Sequence, residues 1–440
     1  MQPDDSTKPV VVREPDASKG ARPVLRGGSS REARSLPSNP AFEQARTRFV
    51  EGLAHFGAAR WAEAEQSFEA ALALMPGRPS VLTNLGATRL RLGRPAEALP
   101  LLEQAVQAEP DNQEAWAYLA AARAETGAPE PALAALDRAI ALNGKLPALW
   151  RERGALLVHL GRPGDALQAF ERVTALVPDD ADAWAHQGTL HREAGQLPLA
   201  RQCFERARAL GASGEVMDYF LAAVDGGAAP QHPPRAYVAH LFDDYADDFQ
   251  THLVEVLGYR AHEAVVDLAL ARLTRAPAAA LDLGCGTGLC AQRLRPHVPW
   301  IDGVDLSARM AAAAQAAGVY DRVFESDLVD YLARADRLYD LVIAADVFIY
   351  VGALEAVFEG VARTVPEGGL LAFSIEALEG PGDWQLLPSL RYAHSLDYVH
   401  RLAASSGWTV LAVTDGTLRC DQRKPVAGHY VCLQRVGAAG

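Results

Sequence analysis

Between Ala41 and about residue 214 apolar residues recur at three- and four-residue spacing, the period of a helix face, and a second period of 34 residues runs through them. Ala64, Ala98, Ala132, Ala166 and Ala200 share one register, and Gly93, Gly127, Gly161 and Gly195 share another. Phe68, Leu102, Leu136, Phe170 and Phe204 follow in the same frame, as do Ala71, Ala105, Ala139, Val173 and Ala207. Trp116, Trp150 and Trp184 head the last three units. Small residues at such spacing let two helix axes approach, the ring or Leu fills the space beside them, and Gly serves the turn. Pro76, Pro110 and Pro178, with Gly144 and Ala212 in equivalent places, stop the second helix of each unit. The pattern predicts five helix pairs over 41–225, with EVMDYFLAAVD (215–225) as a capping helix.

The pattern then changes. GGAAPQHPPR (226–235) suits neither a helix nor a central strand and reads as a linker between domains. Helical segments over 236–274 lead into apolar strands alternating with helices, which predicts a doubly wound α/β domain over 236–440. Each part is expected to bury its own core, so a fragment beginning near Arg235 is expected to keep the ligand site of the second domain.

Length and charge narrow the reading. A chain of 440 residues accommodates two domains beside a tail. Residues 1–40 carry six prolines and seven Lys/Arg against five Asp/Glu, with few apolar residues to bury, and read as a disordered tail. A net charge of -13 argues against a broad grip on nucleic acid. No apolar run approaches the roughly 20 residues of a membrane span, and the N-terminus lacks a signal-peptide core. Cys203, Cys285, Cys290, Cys420 and Cys432 show no CxxC pairing, so neither a disulfide framework nor a metal site is expected. A soluble protein of the reducing cytoplasm is the expectation.

The chemistry centres on AAALDLGCGTGLCAQRL (278–294), a strand ending in Asp282, a turn through Gly284, Cys285, Gly286 and Gly288, and a helix. Glycine suits a loop that a ligand must approach closely. Dinucleotide binders use G-x-G-x-x-G, but here Leu289 stands where the third glycine belongs. The strand WIDGVDLS (300–307) ends in Asp305 and Leu306, FESDL (324–328) brings Asp327 and Leu328, and YDLVIAADVFIYV (339–351) ends in Ala345, Asp346 and Tyr350.

On these residues the two halves resemble known families. The 34-residue unit is similar to the tetratricopeptide repeat. Asp282, Gly284, Gly286 and Gly288 match the DxGxGxG motif of class I S-adenosylmethionine-dependent methyltransferases, a resemblance covering roughly 236–435. It implies a Rossmann-like sheet of seven strands, the last two being TVLAVTD (409–415) and HYVCLQR (429–435), with an antiparallel strand at the end of the order. It also implies S-adenosylmethionine as cofactor. Asp305 is then assigned to the ribose, Asp327 to the adenine, and Ala345 and Asp346 to the methionine end. In-line transfer of a methyl group needs alignment more than a catalytic triad, and Tyr350, His252, His394 and Tyr392 are the candidates for catalysis. The segment LFDDYADDFQTHLVEVLGYR (241–260) resembles the lid ahead of the first strand in a bacterial group joining both modules. Tyr245, Phe249 and His252 fall on one helical face there, which Tyr259 and Arg260 extend, while Gln250 departs from the acidic residue expected.

A repeat array binds proteins through its inner surface. A protein or carrier-bound methyl acceptor is therefore expected, with a small molecule as the alternative. The inner positions Phe49, Thr83, Ala117, Arg151 and Ala185 lack the lysines of a clamp for acidic peptide tails. A different class of function, an interaction scaffold on an inactive methyltransferase fold, has no need for the intact glycine turn.

Overall fold

The computed structural model describes residues 40–245, 260–421 and 424–436. They form two compact units, one ending at Gln187 and the other beginning at Gly188.

In the first unit helix hairpins follow one another. They are α1 (Pro40–Gly57) with α2 (Trp61–Leu74), α3 (Pro79–Arg91) with α4 (Pro95–Ala108), α5 (Gln113–Glu125) with α6 (Pro129–Leu142), and α7 (Pro147–His159) with α8 (Pro163–Leu176). The period of the sequence has visible physical causes. Side chains of the second helix lie against bare backbone of the first: a Cβ added at Gly52 would stand 2.5 Å from Phe68, at Gly86 2.6 Å from Leu102, and at Gly154 2.8 Å from Phe170. Gly93, Gly127 and Gly161 turn the chain in the left-handed region, and Ala59 takes φ 55° at the equivalent place in the first hairpin. Trp116 and Trp150 donate through Nε1 to the carbonyls of Pro110 and Gly144, at 3.0 and 2.9 Å, tying each new hairpin to the turn before it. Two of the positions expected on the inner surface are not there. Thr83 and Ala185 are fully buried, and the Thr83 hydroxyl donates to the Pro79 carbonyl one helical turn back.

The division between units falls inside α9 (Ala181–Glu193), so the second unit contains α10 (Leu197–Ala209) and α11 (Gly214–Asp225) as well as the sheet. Read from sequence as the cap of the array, α11 does pack on α10, with Phe220 against Phe204 at 5.1 Å, and it also packs into the rest of this unit. Tyr219 and Phe220 form an aromatic cluster with Tyr237, Tyr219 also meets Tyr392 at 6.3 Å, and the Tyr219 hydroxyl donates to the Leu390 carbonyl at 2.6 Å. Residues 226–234 hold neither helix nor strand, yet they are tied down. The Pro230 carbonyl accepts from the Tyr392 hydroxyl at 2.8 Å, and the Gln231 carbonyl accepts from the amides of Gly352 and Ala353 at 2.7 and 3.1 Å. A proline-rich stretch lacks amide donors but keeps every carbonyl as an acceptor. A fragment starting at Arg235 would therefore lose part of its own core, contrary to the expectation of a separable domain.

The sheet comprises β1 (Ala279–Leu283), β2 (Trp300–Asp305), β3 (Arg322–Glu325), β4 (Leu341–Ala344), β5 (Leu370–Ala377), β6 (Trp384–Leu386), β7 (Tyr392–His394), β8 (Trp408–Asp421) and β9 (Lys424–Arg435). Strands β3-β2-β1-β4-β5 are parallel, β9 runs antiparallel to β5, and β8 pairs with β9. The short β6–β7 hairpin joins the far end of β5 through Glu376 and Ala377. The seven strands expected are present as β3-β2-β1-β4-β5-β9-β8, the β6–β7 hairpin adds two more among the described residues, and the antiparallel strand lies inside the order, between β5 and β8, not at its end. Strands of three residues, such as β6 and β7, are too short to carry a legible alternation. Central strands are buried on both faces, as parallel sheets require. One face is covered by Val265, Val266 and Ala269, the other by Phe358, Val361 and Tyr398. Strand order reverses between β1 and β4, which opens a crevice at the carboxyl ends of the strands.

Candidate functional site

At that crevice the chain leaves β1 through Gly284, Gly286 and Gly288, at φ 65°, 52° and 100°. Beneath the turn Asp282 is 1% exposed and accepts a hydrogen bond from the Tyr320 hydroxyl at 2.7 Å. Burial, above all, pushes its carboxyl up to about 7. Asp282 therefore supports the turn from below and is absent from the lining of the crevice, as is Gly288. The reason at Gly288 is local: it starts the helix Leu289–Leu294 in a left-handed conformation, with Val319 and Tyr320 each 3.2 Å from where a Cβ would stand.

The other cofactor candidates converge on one cavity of about 660 Å³, a volume typical of small-molecule sites. Gly284, Cys285 and Gly286 line it from the turn, and Asp305 and Leu306 from the end of β2. Asp327 and Leu328 follow β3, and Ala345, Asp346 and Tyr350 follow β4. Asp305 is 9% exposed; its Oδ2 accepts from the Gly286 amide at 2.8 Å and its Oδ1 from the Ser307 amide at 2.9 Å. Burial raises its pKa against those bonds and a further one from the Leu306 amide. Asp327 caps the helix Leu328–Arg334 by accepting from the amides of Val329 and Asp330, and lies 3.5 Å from the Arg235 guanidinium. Burial raises the Cys285 thiol well above its ordinary value, which disfavours the thiolate.

Of the catalytic candidates with described side chains, Tyr350 alone lines the cavity, in a short 3-10 turn, with its ring edge-on to Phe242 at 5.3 Å. Tyr392 and His394 are fully buried away from it. The Tyr392 hydroxyl is committed to Pro230, and His394 Nε2 lies 2.9 Å from the carbonyls of both Val351 and Gly352. Both act in packing, because the strand that carries them faces the core. His252 and Phe249, with Tyr259 and the side chain of Tyr245, lie outside the described residues. Earlier in the proposed lid, Leu241 and Phe242 do line the cavity, and Asp243 accepts from the Ser307 hydroxyl beside Asp305. Arg260 instead makes an exposed contact with Glu263 at 3.8 Å.

Burial lowers the His394 imidazole from 6.5 to about 4. A depressed folded value means that its contribution to stability is present above pH 6.5 and is lost as the pH falls toward 4. A His394→Asn variant is thus expected to lose less melting temperature than the parent between pH 7 and pH 5. Thermal scans at the two pH values check this, and equal losses would show that His394 is not the titrating group.

Sequence reasoning missed Gln231, His232, Glu355, Arg391 and Arg419, which also line the cavity. They come from the linker, from the helix after β4, from the residue before β7 and from β8, far from any recognisable motif. Among the described residues no cluster of His, Cys, Asp and Glu is arranged to hold a metal ion, and no helix is long and apolar enough to cross a membrane.

Residues 257–413 match a family model described as a methyltransferase domain, and 49–99, 79–122 and 119–185 match tetratricopeptide-repeat models. Methyltransferase-like protein 27 of Homo sapiens is 35% identical over 116 residues, 23% of this chain and 47% of that protein. Malonyl-[acyl-carrier protein] O-methyltransferase of Geobacter sulfurreducens is 34% identical over 136 residues, 28% of this chain and 50% of that protein. The chain thus spans about half the length of these curated relatives. Among solved structures, YrrB, described as a TPR protein with an unusual peptide-binding site, aligns at 22% identity and a TM-score of 0.35 over 38% of this chain and 87% of that one. The N-methyltransferase NodS from Bradyrhizobium japonicum, in complex with S-adenosyl-L-homocysteine, aligns at 16% identity and a TM-score of 0.32 over 40% of this chain and 85% of that one.

Proposed function

We propose that this chain, a methyltransferase domain behind tetratricopeptide repeats, takes S-adenosylmethionine as donor and methylates an acceptor that is a protein or is carried on one. The observation that carries the reading is the joining of the glycine turn, Asp305 and Asp327 around one cavity at the switch point of the sheet. Asp305 presents two oxygens to a ribose diol, Gly284 and Gly286 let the ligand approach the backbone, and Leu306 and Leu328 supply apolar walls for a base. Asp327 and Ser326 line the cavity after β3, and on this reading they take the adenine.

The cofactor supplies an electrophilic methyl group on a sulfonium, which leaves as a neutral thioether. The protein's share is to hold both partners in line and exclude water. Tyr350 and Phe242 narrow the cavity above the end of β4, where an acceptor would enter. Support for a carrier-bound acceptor comes from the repeat array and from the Geobacter relative, whose named substrate is carried on a protein.

Replacing Asp305 with Asn keeps the shape and removes the charge. Binding of S-adenosylmethionine is expected to weaken by about 1.5–3 kcal/mol, the range for hydrogen bonds to charged groups. Calorimetry on the full chain reads it, and unchanged affinity in a folded variant would remove Asp305 from the site.

A further inference from the structure

Arg419 is 3% exposed, follows a bulge in β8 between Thr417 and Arg419, and lines the cavity. Its Nη1 donates to Asp346 Oδ1 at 2.7 Å and its Nη2 to Glu376 Oε2 at 2.6 Å. Two carboxylates on one buried guanidinium are a poor way to stabilise a fold, since apolar side chains of similar volume usually do as well or better. The arrangement does fix one of the carboxylates. Asp346 has φ 59°, its amide donates to Ser374 Oγ at 2.8 Å, and the next residue, Val347, fills the space beside Gly284, where a Cβ would stand 2.4 Å from Val347 Cγ2. Asp346 is thereby pinned in the cavity wall next to the glycine turn.

We infer that Arg419, braced by Glu376, is a positioning residue that fixes the Asp346 carboxylate toward the cationic methionyl end of the cofactor, so that the site favours the sulfonium donor over its neutral thioether product. This rests on the S-adenosylmethionine assignment above. The Arg419 hydrogen bond goes to Oδ1 of Asp346. The donor carries a sulfonium and an ammonium, whereas S-adenosylhomocysteine keeps only the ammonium. A carboxylate held in the cavity wall, its side chain 13% exposed, therefore tells them apart by one full charge. Without Arg419 the carboxylates of Asp346 and Glu376 would face each other, and one would turn away or take a proton. Burial already raises Glu376, against the opposing charges of Arg419 and Arg391.

The test is calorimetric affinity for S-adenosylmethionine and for S-adenosylhomocysteine, measured on the full chain and on the variants Arg419→Met, Arg419→Lys, Asp346→Asn and the double variant R419M/E376Q. Circular dichroism monitors folding. Arg419→Met and Asp346→Asn are each expected to lose about 10-fold in affinity for S-adenosylmethionine and less than about 3-fold for S-adenosylhomocysteine, where tenfold corresponds to 1.4 kcal/mol. Arg419→Lys keeps the charge without the fork and should fall between them and the parent. The double variant removes the uncompensated Glu376 charge, so it should fold even where Arg419→Met does not, and it should keep the reduced preference because Asp346 is still unheld. A parental preference in the double variant or in Asp346→Asn would overturn the inference. A parent that binds neither ligand would overturn the cofactor assignment and this inference with it.

Discussion

Replacing Tyr219 with Ala is expected to destabilise the sheet-bearing unit by about 3–5 kcal/mol, the cost of removing a large buried ring. Tyr219 is fully buried, with the rings of Tyr237 and Tyr392 at 5.5 and 6.3 Å. Its hydroxyl donates to the carbonyl of Leu390, a non-glycine residue held at φ 63°. Tyr219→Phe removes that donor alone and should cost about 1–3 kcal/mol, the penalty for a buried acceptor left without a partner. The same contacts dictate the outcome of truncation. A chain beginning at Arg235 loses Tyr219, Phe220 and the carbonyls of Pro230 and Gln231, leaving the Tyr392 hydroxyl and the Gly352 amide without their partners. It should unfold well below the full chain, whereas one beginning at Ala181 should keep its cooperative transition. Denaturant titration of the variants and the two fragments decides the matter. A Tyr219→Ala protein with the stability of the parent, or a robust fragment from Arg235, would show that α11 only leans on the sheet.

The repeat array was legible because its physics is periodic. The hairpins repeat the demand for a small residue under one large side chain, Gly52 under Phe68 and Gly154 under Phe170, with Ala120 at the equivalent place in the third, and the repetition prints a 34-residue frame on the sequence. The glycine turn and Asp305 were legible for another reason. Their geometry depends on residue types at short spacing, and the chain has few ways to satisfy it. Arg419 left no such mark. Its meaning comes from Asp346 and Glu376, which lie 73 and 43 residues away in sequence, and only strand pairing brings them together. Gln231 was hidden by composition: a Gly/Pro-rich segment reads as a tether, while its carbonyls hold the loop after Tyr350. His394 and Tyr392 misled because residue type suggests chemistry, whereas both stand on a short strand turned toward the core.

Gly284→Ala is expected to weaken S-adenosylmethionine binding by about 100-fold, or ~2.7 kcal/mol, on the assignment proposed above. Two effects combine at this position. Gly284 sits at φ 65°, where a residue with a β-carbon costs roughly 1–2 kcal/mol. The added carbon would also lie 2.4 Å from Val347 Cγ2, too close for any short branched side chain to absorb by rotation alone. Val347 must then move, and Asp346 in the cavity wall moves with it. Gly318→Ala separates the effects, because Gly318 has φ 68° but nothing within 4 Å of the added carbon. That variant should lose stability by a similar conformational cost and keep the parental affinity. In the double variant G284A/V347A the clash is relieved while the backbone strain remains, so binding should recover by about 10-fold, or 1.4 kcal/mol, without reaching the parent. Calorimetry on the four proteins reads the result. Parental affinity in Gly284→Ala would mean that the turn does not lie against the ligand, and equal losses in Gly284→Ala and Gly318→Ala would mean that binding reports general stability and not the geometry of the turn.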